Sequence, residues 1–308
     1  MQKIVITGGT GFVGRHVCER LFAQNPEARL VVPSRRRSSG RDLQVLPTVD
    51  LLPCNVHDDS ALPGLLAGAD ALVHLVAILH GSEADFDHVH VQLPRQLAAA
   101  CGAAGVKRVV HVSALGVAAA APSAYLRSKA AGEAAWQAAA AQHGLALTVL
   151  RPSVIFGAED RFTNLFASLQ GLLPVLPLAG ASALFQPVWV SDVAQAVVQA
   201  LAAPGLPGPV IECAGPELLT LQQIVQQVGE MAGCRRPVLP LPERLGLLQA
   251  ALLGLLPGQP LMSRDNLLSM RVPNIASGRL PGLASLGIRP AALATLAGHF
   301  QPADPRRR

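Results

Sequence analysis

Only 4% of the 308 residues are aromatic, and a single tyrosine is among them. Stacking platforms for single-stranded nucleic acid need repeated aromatic faces, so we expect no nucleic-acid partner. Charged residues are equally scarce at 15%. Half the chain is apolar, which excludes a disordered, highly charged segment and supplies a large core in one domain or two adjoining ones. The five cysteines (18, 54, 101, 213 and 234) are dispersed and odd in number. That pattern points away from a disulfide framework or zinc site and toward a reducing compartment.

No run reaches the roughly 18–20 apolar residues of a membrane span. The nearest, "LGLLQAALLGLLPG" (245–258), is interrupted by Gln249 and ended by Pro257. It reads as a buried or interface helix, with a membrane-surface helix as the alternative. The opening "MQKIVITGGTG" runs straight into a strand and a glycine loop. We therefore expect no signal peptide and a cytoplasmic protein. The net charge of +5 is more than supplied by arginines 35–37 and 306–308. A basic surface of this kind suits a phosphorylated ligand or an anionic membrane.

What is present is alternation. Short apolar runs, "KIVIT", "RLVVP", "VDLLP", "ALVHLVA", "KRVVHVS" and "ALTVLRP", are separated by stretches of helical period such as 84–104 and 123–142. Apolar strands alternating with helices predict an α/β fold: a doubly wound parallel sheet of six or seven strands. Beyond about residue 155 the elements shorten, and prolines 174, 177, 187, 204, 207 and 209 punctuate them. Helices are expected near 191–203, 220–232 and 242–256. We expect residues 1–160 to form a Rossmann-type domain, with 185–213 returning to it. Residues 161–184 and 214–308 would then make a smaller lobe for substrate or partner.

The first strand runs into "TGGTGFVG", placing Gly8, Gly11 and Gly14 between strand and helix. Glycines there let the backbone turn tightly and approach a pyrophosphate, whose charge rests on the amides at the helix start. Thr7, Phe12 and Val13 complete that loop. At the end of the second strand, nicotinamide dinucleotide binders usually place an acid for the ribose 2′-hydroxyl. Here "RLVVPSRRRSSGR" has no acid before Asp42. Ser34, Arg35 and Arg36 suit a 2′-phosphate instead, because an arginine presents a fork of donors. We expect NADP(H), with NAD(H) as the alternative.

"YLRSK" sets Tyr125 and Lys129 four residues apart, a turn apart on one helix face. Together with the loop and the alternating order, this resembles the short-chain dehydrogenase/reductase superfamily. "HLVA" (74–77), "HVSALG" (111–116), "LRPSVIFG" (150–157) and "QPVWVSDVA" (186–194) fit its extended and atypical branches, which include epimerase/dehydratase-like proteins. With "PLMSRDNL" (260–267), the chain looks most like the atypical subgroup holding the accessory subunit of respiratory complex I and its bacterial relatives. That resemblance implies a general acid/base at Tyr125 and a Lys129 that lowers its pKa and bonds the nicotinamide ribose. It further implies cofactor contacts from Asn55, Val56, Leu75, Val76, Ala77, Pro152, Ser153 and Val154.

Two positions depart from the family pattern. Ser113 is the serine available to polarise a carbonyl, but Leu115 fills the expected slot; Ser123 is a candidate replacement. "HVHVQLP" puts His90 where the family often has asparagine. The cluster His80, Asp85, Asp87, His88 and His90 lacks a recognised ligand spacing, so no metal is expected. Two functions follow: an NADP-linked oxidoreductase or epimerase acting on an apolar or quinone-like substrate, or a non-catalytic dinucleotide-binding subunit. The second implies an accessory or redox-sensing role in a respiratory complex or quinone metabolism, peripheral at the inner membrane face.

Overall fold

The computed structural model describes residues 2–202, 210–253 and 262–300. Six strands alternate with helices along the first half: β1 (Lys3–Thr7), β2 (Arg29–Ser34), β3 (Val49–Pro53), β4 (Ala71–His74), β5 (Arg108–Val112) and β6 (Ala146–Pro152). A seventh strand, Val210–Cys213, pairs with β6 at the far edge. From that strand inward the order is β6, β5, β4, β1, β2, β3, and every pairing is parallel. This is a Rossmann-type α/β fold. Its order reverses beside β1, which opens the crevice where such sheets take ligands.

The sheet is covered on both faces because its central strands are apolar on both. Helices α1 (Phe12–Gln24) and α7 (Val190–Ala202) pack on one side, where Val17, Leu21, Val193 and Val197 meet Ile4, Ile6 and Val110. Helices α2 (Leu62–Leu66), α4 (Leu93–Ala104) and α5 (Ala124–His143) cover the other, where Leu66, Leu97 and Trp136 meet Val5, Leu72 and Val109.

The stretch read as one helix over 84–104 has three parts. A short α3 (Glu83–Asp87) leads into a π-helical turn over His88–Gln92, and α4 follows. The π turn sits where α5 crosses: a Cβ on Gly132 would stand 2.1 Å from the His90 carbonyl oxygen. Only glycine permits that approach. Strand β4 ends at His74, three residues earlier than the apolar run suggests, because the chain turns there to meet the glycine loop.

The later elements surround a separate apolar cluster. Helices α6 (Phe162–Leu172) and α8 (Leu221–Met231) pack around Phe166, Phe185, Ile224 and Val228. Strand Leu176–Ala179 pairs with Val238–Leu241. Helices α9 (Glu243–Leu253) and α10 (Arg264–Ser269) follow. The end of the helix expected over 242–256, prolines 204, 207, 209 and 257, and arginines 306–308 lie outside the described residues. Among the described residues, no helix is long and apolar enough to cross a membrane.

Candidate functional site

The glycine loop is shaped by close backbone packing. Gly8 has φ +77°, and a Cβ on it would lie 3.0–3.1 Å from the Leu75 and Val76 backbone. So the loop after β1 rests on the loop after β4, bringing Thr7, Leu75, Val76 and Ala77 together. Gly14 lets α1 start against the loop: a Cβ there would reach Gly8 O at 2.4 Å. Gly11 is different, since its Cβ would meet only Gly8 O, at 3.2 Å. Phe12 turns its ring toward Gly157, beyond β6. The cradle fits a pyrophosphate: backbone amides at a helix start, with the face of Gly11 left open.

At the end of β2, Arg35 and Arg36 are exposed, and the Ser34 hydroxyl donates to the Arg36 carbonyl at 2.9 Å. Asp42, the first acid after β2, is bound to Arg15 of α1 at 2.9 Å. Arg15 also pairs with Glu159. Asn55 and Val56 follow β3, and the Asn55 side chain accepts from the His57 amide.

The other end of the crevice is built from buried side chains. Lys129 is only 2% exposed, and its ammonium donates to the Val112 carbonyl at 2.7 Å. Burial lowers its pKa to about 8, against a smaller opposing pull from Glu133. Tyr125, half-buried one turn earlier, meets the rings of His90 and Phe86 edge-on at 5.5 and 6.1 Å. Burial pushes its phenol up to about 12.

His90 ties this wall together. Its Nε2 accepts from the Ile78 amide at 3.1 Å, so the proton resides on Nδ1, which donates to Ser128 Oγ at 2.9 Å. Ser128 in turn donates to the Tyr125 carbonyl at 2.8 Å. Both ring nitrogens are thus engaged in holding the loop after β4 to α5. Burial, then the Lys129 charge, lowers the His90 pKa to about 3.

The serines are turned to other tasks. Ser123 is fully buried and caps α5, its oxygen accepting from the Leu126 amide at 3.2 Å. Serine directly before a helix is a capping signal. Ser113 lies just past β5, 4% exposed, with no hydrogen-bond partner for its Oγ among the described residues. Leu115 is buried. Ser153 donates to Asn274 Oδ1 at 2.7 Å, and the Val154 amide donates to the same oxygen at 2.8 Å. Pro152 accepts from the Leu115 amide at 2.9 Å.

Sequence reasoning passed over a buried polar row beneath this wall. Thr7, His74 and His111 are register partners across β1, β4 and β5. Thr7 Oγ1 lies 2.8 Å from His74 Nδ1. The two imidazoles stack at 5.2 Å beside Trp136. Burial, then the Lys129 charge, takes His74 to about 3 and lowers His111 as well, so both are neutral. The signal was in the strands: two histidines in otherwise apolar runs bounded by "HLVA" and "HVSALG". His88 is exposed while His90 is buried, and among the described residues no three His, Cys, Asp or Glu gather as a metal site.

Comparison with known proteins bears on this arrangement. A protein of Mus musculus, NADH dehydrogenase [ubiquinone] 1 alpha subcomplex subunit 9, mitochondrial, is 30% identical over 296 residues, covering 94% of this chain and 76% of its own. A ceramide reductase of Caulobacter vibrioides is 28% identical over 255 residues, 81% of this chain and 76% of its own. Among solved structures, gox2253 superposes with a TM-score of 0.74 at 21% identity, covering 97% of each chain. UDP-glucuronic acid 4-epimerase of Bacillus cereus, solved with UDP-glucuronic acid and NAD, gives 0.69 at 18% identity, over 97% of this chain and 99% of that one. These structures share the fold. The model of the NAD dependent epimerase/dehydratase family matches residues 4–214, and the chain belongs to that family.

Proposed function

We propose that this protein is an NADP(H)-dependent oxidoreductase acting on an apolar carbonyl or quinone. One observation carries the reading: an ammonium, Lys129, buried one turn from Tyr125 at the end of a glycine cradle. A buried cation is costly to keep unless something anionic or rich in acceptors comes to it. Here that partner is the nicotinamide ribose and, during turnover, the tyrosinate.

Thr7, Gly8, Gly11, Phe12, Val13 and Gly14 would hold the pyrophosphate, Asn55, Val56, Leu75, Val76 and Ala77 the adenosine side and crevice floor, and Pro152, Ser153 and Val154 the nicotinamide side. The bound cofactor supplies or accepts a hydride. Tyr125 gives its phenolic proton to the substrate oxygen as the carbonyl carbon is reduced, and takes one back in the reverse direction. Lys129 stabilises the phenolate so formed. Ser113 is the hydroxyl nearest in sequence to the missing carbonyl donor.

Arg35 and Arg36, exposed and followed by an acid already bound to Arg15, support the 2′-phosphate. The smaller lobe carries an open cavity of about 680 Å³, lined by Leu184, Leu241, Leu267 and Met270 but also by Gln222, Glu243 and Arg271. The similar ceramide reductase is a reductase by name. Nicotinamide fluorescence titration tests the cofactor: NADPH should bind more tightly than NADH, and Arg35→Ala with Arg36→Ala should erase the difference. Equal affinities in the unmodified protein would sink the preference.

A second reading rests on Leu115. A buried leucine where the family sets a hydroxyl favours a non-catalytic dinucleotide holder, as does similarity to a respiratory-chain subunit. Exposed leucines 172, 239, 245 and 248 on the smaller lobe would then meet a protein complex or a membrane surface. Single-turnover oxidation of bound NADPH by menadione, trans-2-decenal and decanal separates the two. Oxidation dependent on Tyr125 supports the enzyme; bound NADPH that none of them oxidises supports the holder.

A further inference from the structure

The motif "SRDNL" in the smaller lobe has no role in the chemistry described so far. The first three backbone amides of α5 need acceptors, as at any helix start. Ser123 accepts from Leu126, the third. The first two, Ala124 and Tyr125, donate to the two carboxylate oxygens of Asp265, at 2.7 and 3.0 Å. The first turn of α5 holds no acid of its own. Its negative cap comes from a residue 140 positions later, on α10 of the other lobe.

The contacts continue along the same segment. Asn266 Nδ2 donates to the Leu79 carbonyl at 3.4 Å, beyond β4. Val272 packs on Gly116, beyond β5, where a Cβ would come within 3.0 Å of its methyl. Asn274 holds Ser153 and Val154, beyond β6. Residues 263–274 therefore touch the start of α5 and the segments that follow β4, β5 and β6. Leu267 anchors them in a small core with Ala179 and Ala250.

We infer that Asp265 is a positioning residue for Tyr125, fixing the phenol from the smaller lobe by gripping the backbone that carries it. Tyr125 is the second residue of α5, where a frayed helix start moves the side chain most. The grip is charge-assisted, directed at two amides and aligned with the helix dipole. The catalytic part of this inference rests on the oxidoreductase reading above; the geometric part does not.

The sole tyrosine makes the test direct, because its phenolate absorbance near 295 nm reports Tyr125 alone. In Asp265→Ala the helix start should loosen. The phenol midpoint should fall from about 12 by about one unit or more toward its solvent value. Hydrogen exchange at the Ala124 and Tyr125 amides should speed up, with the rest of α5 unchanged. Turnover of bound NADPH should drop about tenfold or more, with its dissociation constant within about twofold. Asp265→Asn keeps one acceptor oxygen, for one of the two amides and without the charge, and should restore each quantity only in part. Asn274→Ala, which cuts the far end of the segment, should leave the two amides protected.

A wild-type midpoint and exchange pattern in Asp265→Ala would overturn the inference. So would loss of protection throughout α5 together with loss of NADPH binding, since the carboxylate would then only hold the lobe in place. A loosened cap with unchanged turnover would overturn the positioning role. If the unmodified protein oxidises NADPH with none of the probes, the enzyme reading fails, while the phenol titration and exchange still decide whether Asp265 fixes Tyr125.

Discussion

The two ends of the crevice are built from different materials. At the phosphate end, the loop after β1 is backbone against backbone, and its geometry depends on what glycine lacks. At the reaction end, Lys129, His90 and Tyr125 are large polar side chains driven into an apolar wall, and their geometry depends on partners from four segments. The first end is specified by eight consecutive residues. The second is specified by contacts 140 and more positions apart. Change at the first should therefore remove binding outright, and change at the second should trade stability against chemistry.

The largest effect is expected at the loop. Gly11→Val should abolish dinucleotide binding while the circular dichroism spectrum survives, because a side chain there meets open crevice and only one carbonyl, at 3.2 Å. Gly14→Val should unfold the protein, since its Cβ would press on Gly8 and Gly9 at 2.4–2.6 Å. Retained affinity in Gly11→Val would reduce the loop to an ordinary turn and erase the contrast.

Next comes Tyr125→Phe, which removes one hydroxyl and little volume. Turnover should fall by roughly 10²–10⁴, the usual loss for a general acid, with NADPH affinity kept. Stopped-flow oxidation of bound NADPH gives both quantities.

The buried histidines should make the reaction end acid-labile. His74 and His90 are held to about 3 and His111 is lowered too, so the folded state binds fewer protons than the unfolded one. Their contribution to stability is present above pH 6.5 and is lost as pH falls toward 3. Thermal melts across that window should show the decline, and His74→Phe should flatten it. A melting temperature independent of pH between 6.5 and 4 would contradict the neutral row.

The smallest effect sharpens the contrast most. Lys129 has a lowered pKa, so its charged form costs about 3 kcal/mol below pH 8, a cost that fades between pH 8 and 10.5. Lys129→Met should stabilise the cofactor-free protein by about 2 kcal/mol at pH 7, after allowing for the Val112 carbonyl it leaves bare. The gain should shrink toward zero as pH passes 10, and NADPH affinity should fall. Denaturant melts at pH 7 and 10 would measure it. A less stable Lys129→Met protein would mean that the ammonium holds the fold together.

How much of this was legible follows the same division. The sheet could be read because each strand is a short unbroken apolar run, and the glycine loop because its spacing is local. "YLRSK" was legible as a pair on one helix face. Asp265 and Asn274 were not, because a side chain that serves a distant backbone leaves no periodicity around itself. His90 was noticed as a departure from a family position, yet its two bonds to Ile78 and Ser128 depend on how α4 and α5 cross. Ser123 is legible as a helix cap from its place directly before α5, and its hydroxyl bonds there.

The π turn over His88–Gln92 acts as a phase shifter. A π turn carries one residue more than the α-helical turn it replaces, so the helix before it and the helix after it are rotated by about 100° relative to an unbroken one. Phe86 can thereby face Tyr125 while Leu93 and Leu97 lie under the sheet. Neither direction depends strongly on which side chains occupy the turn. Both depend on how many residues it contains. Deleting one residue there would leave the glycine loop and "YLRSK" intact and aim one of the two faces at the wrong neighbour.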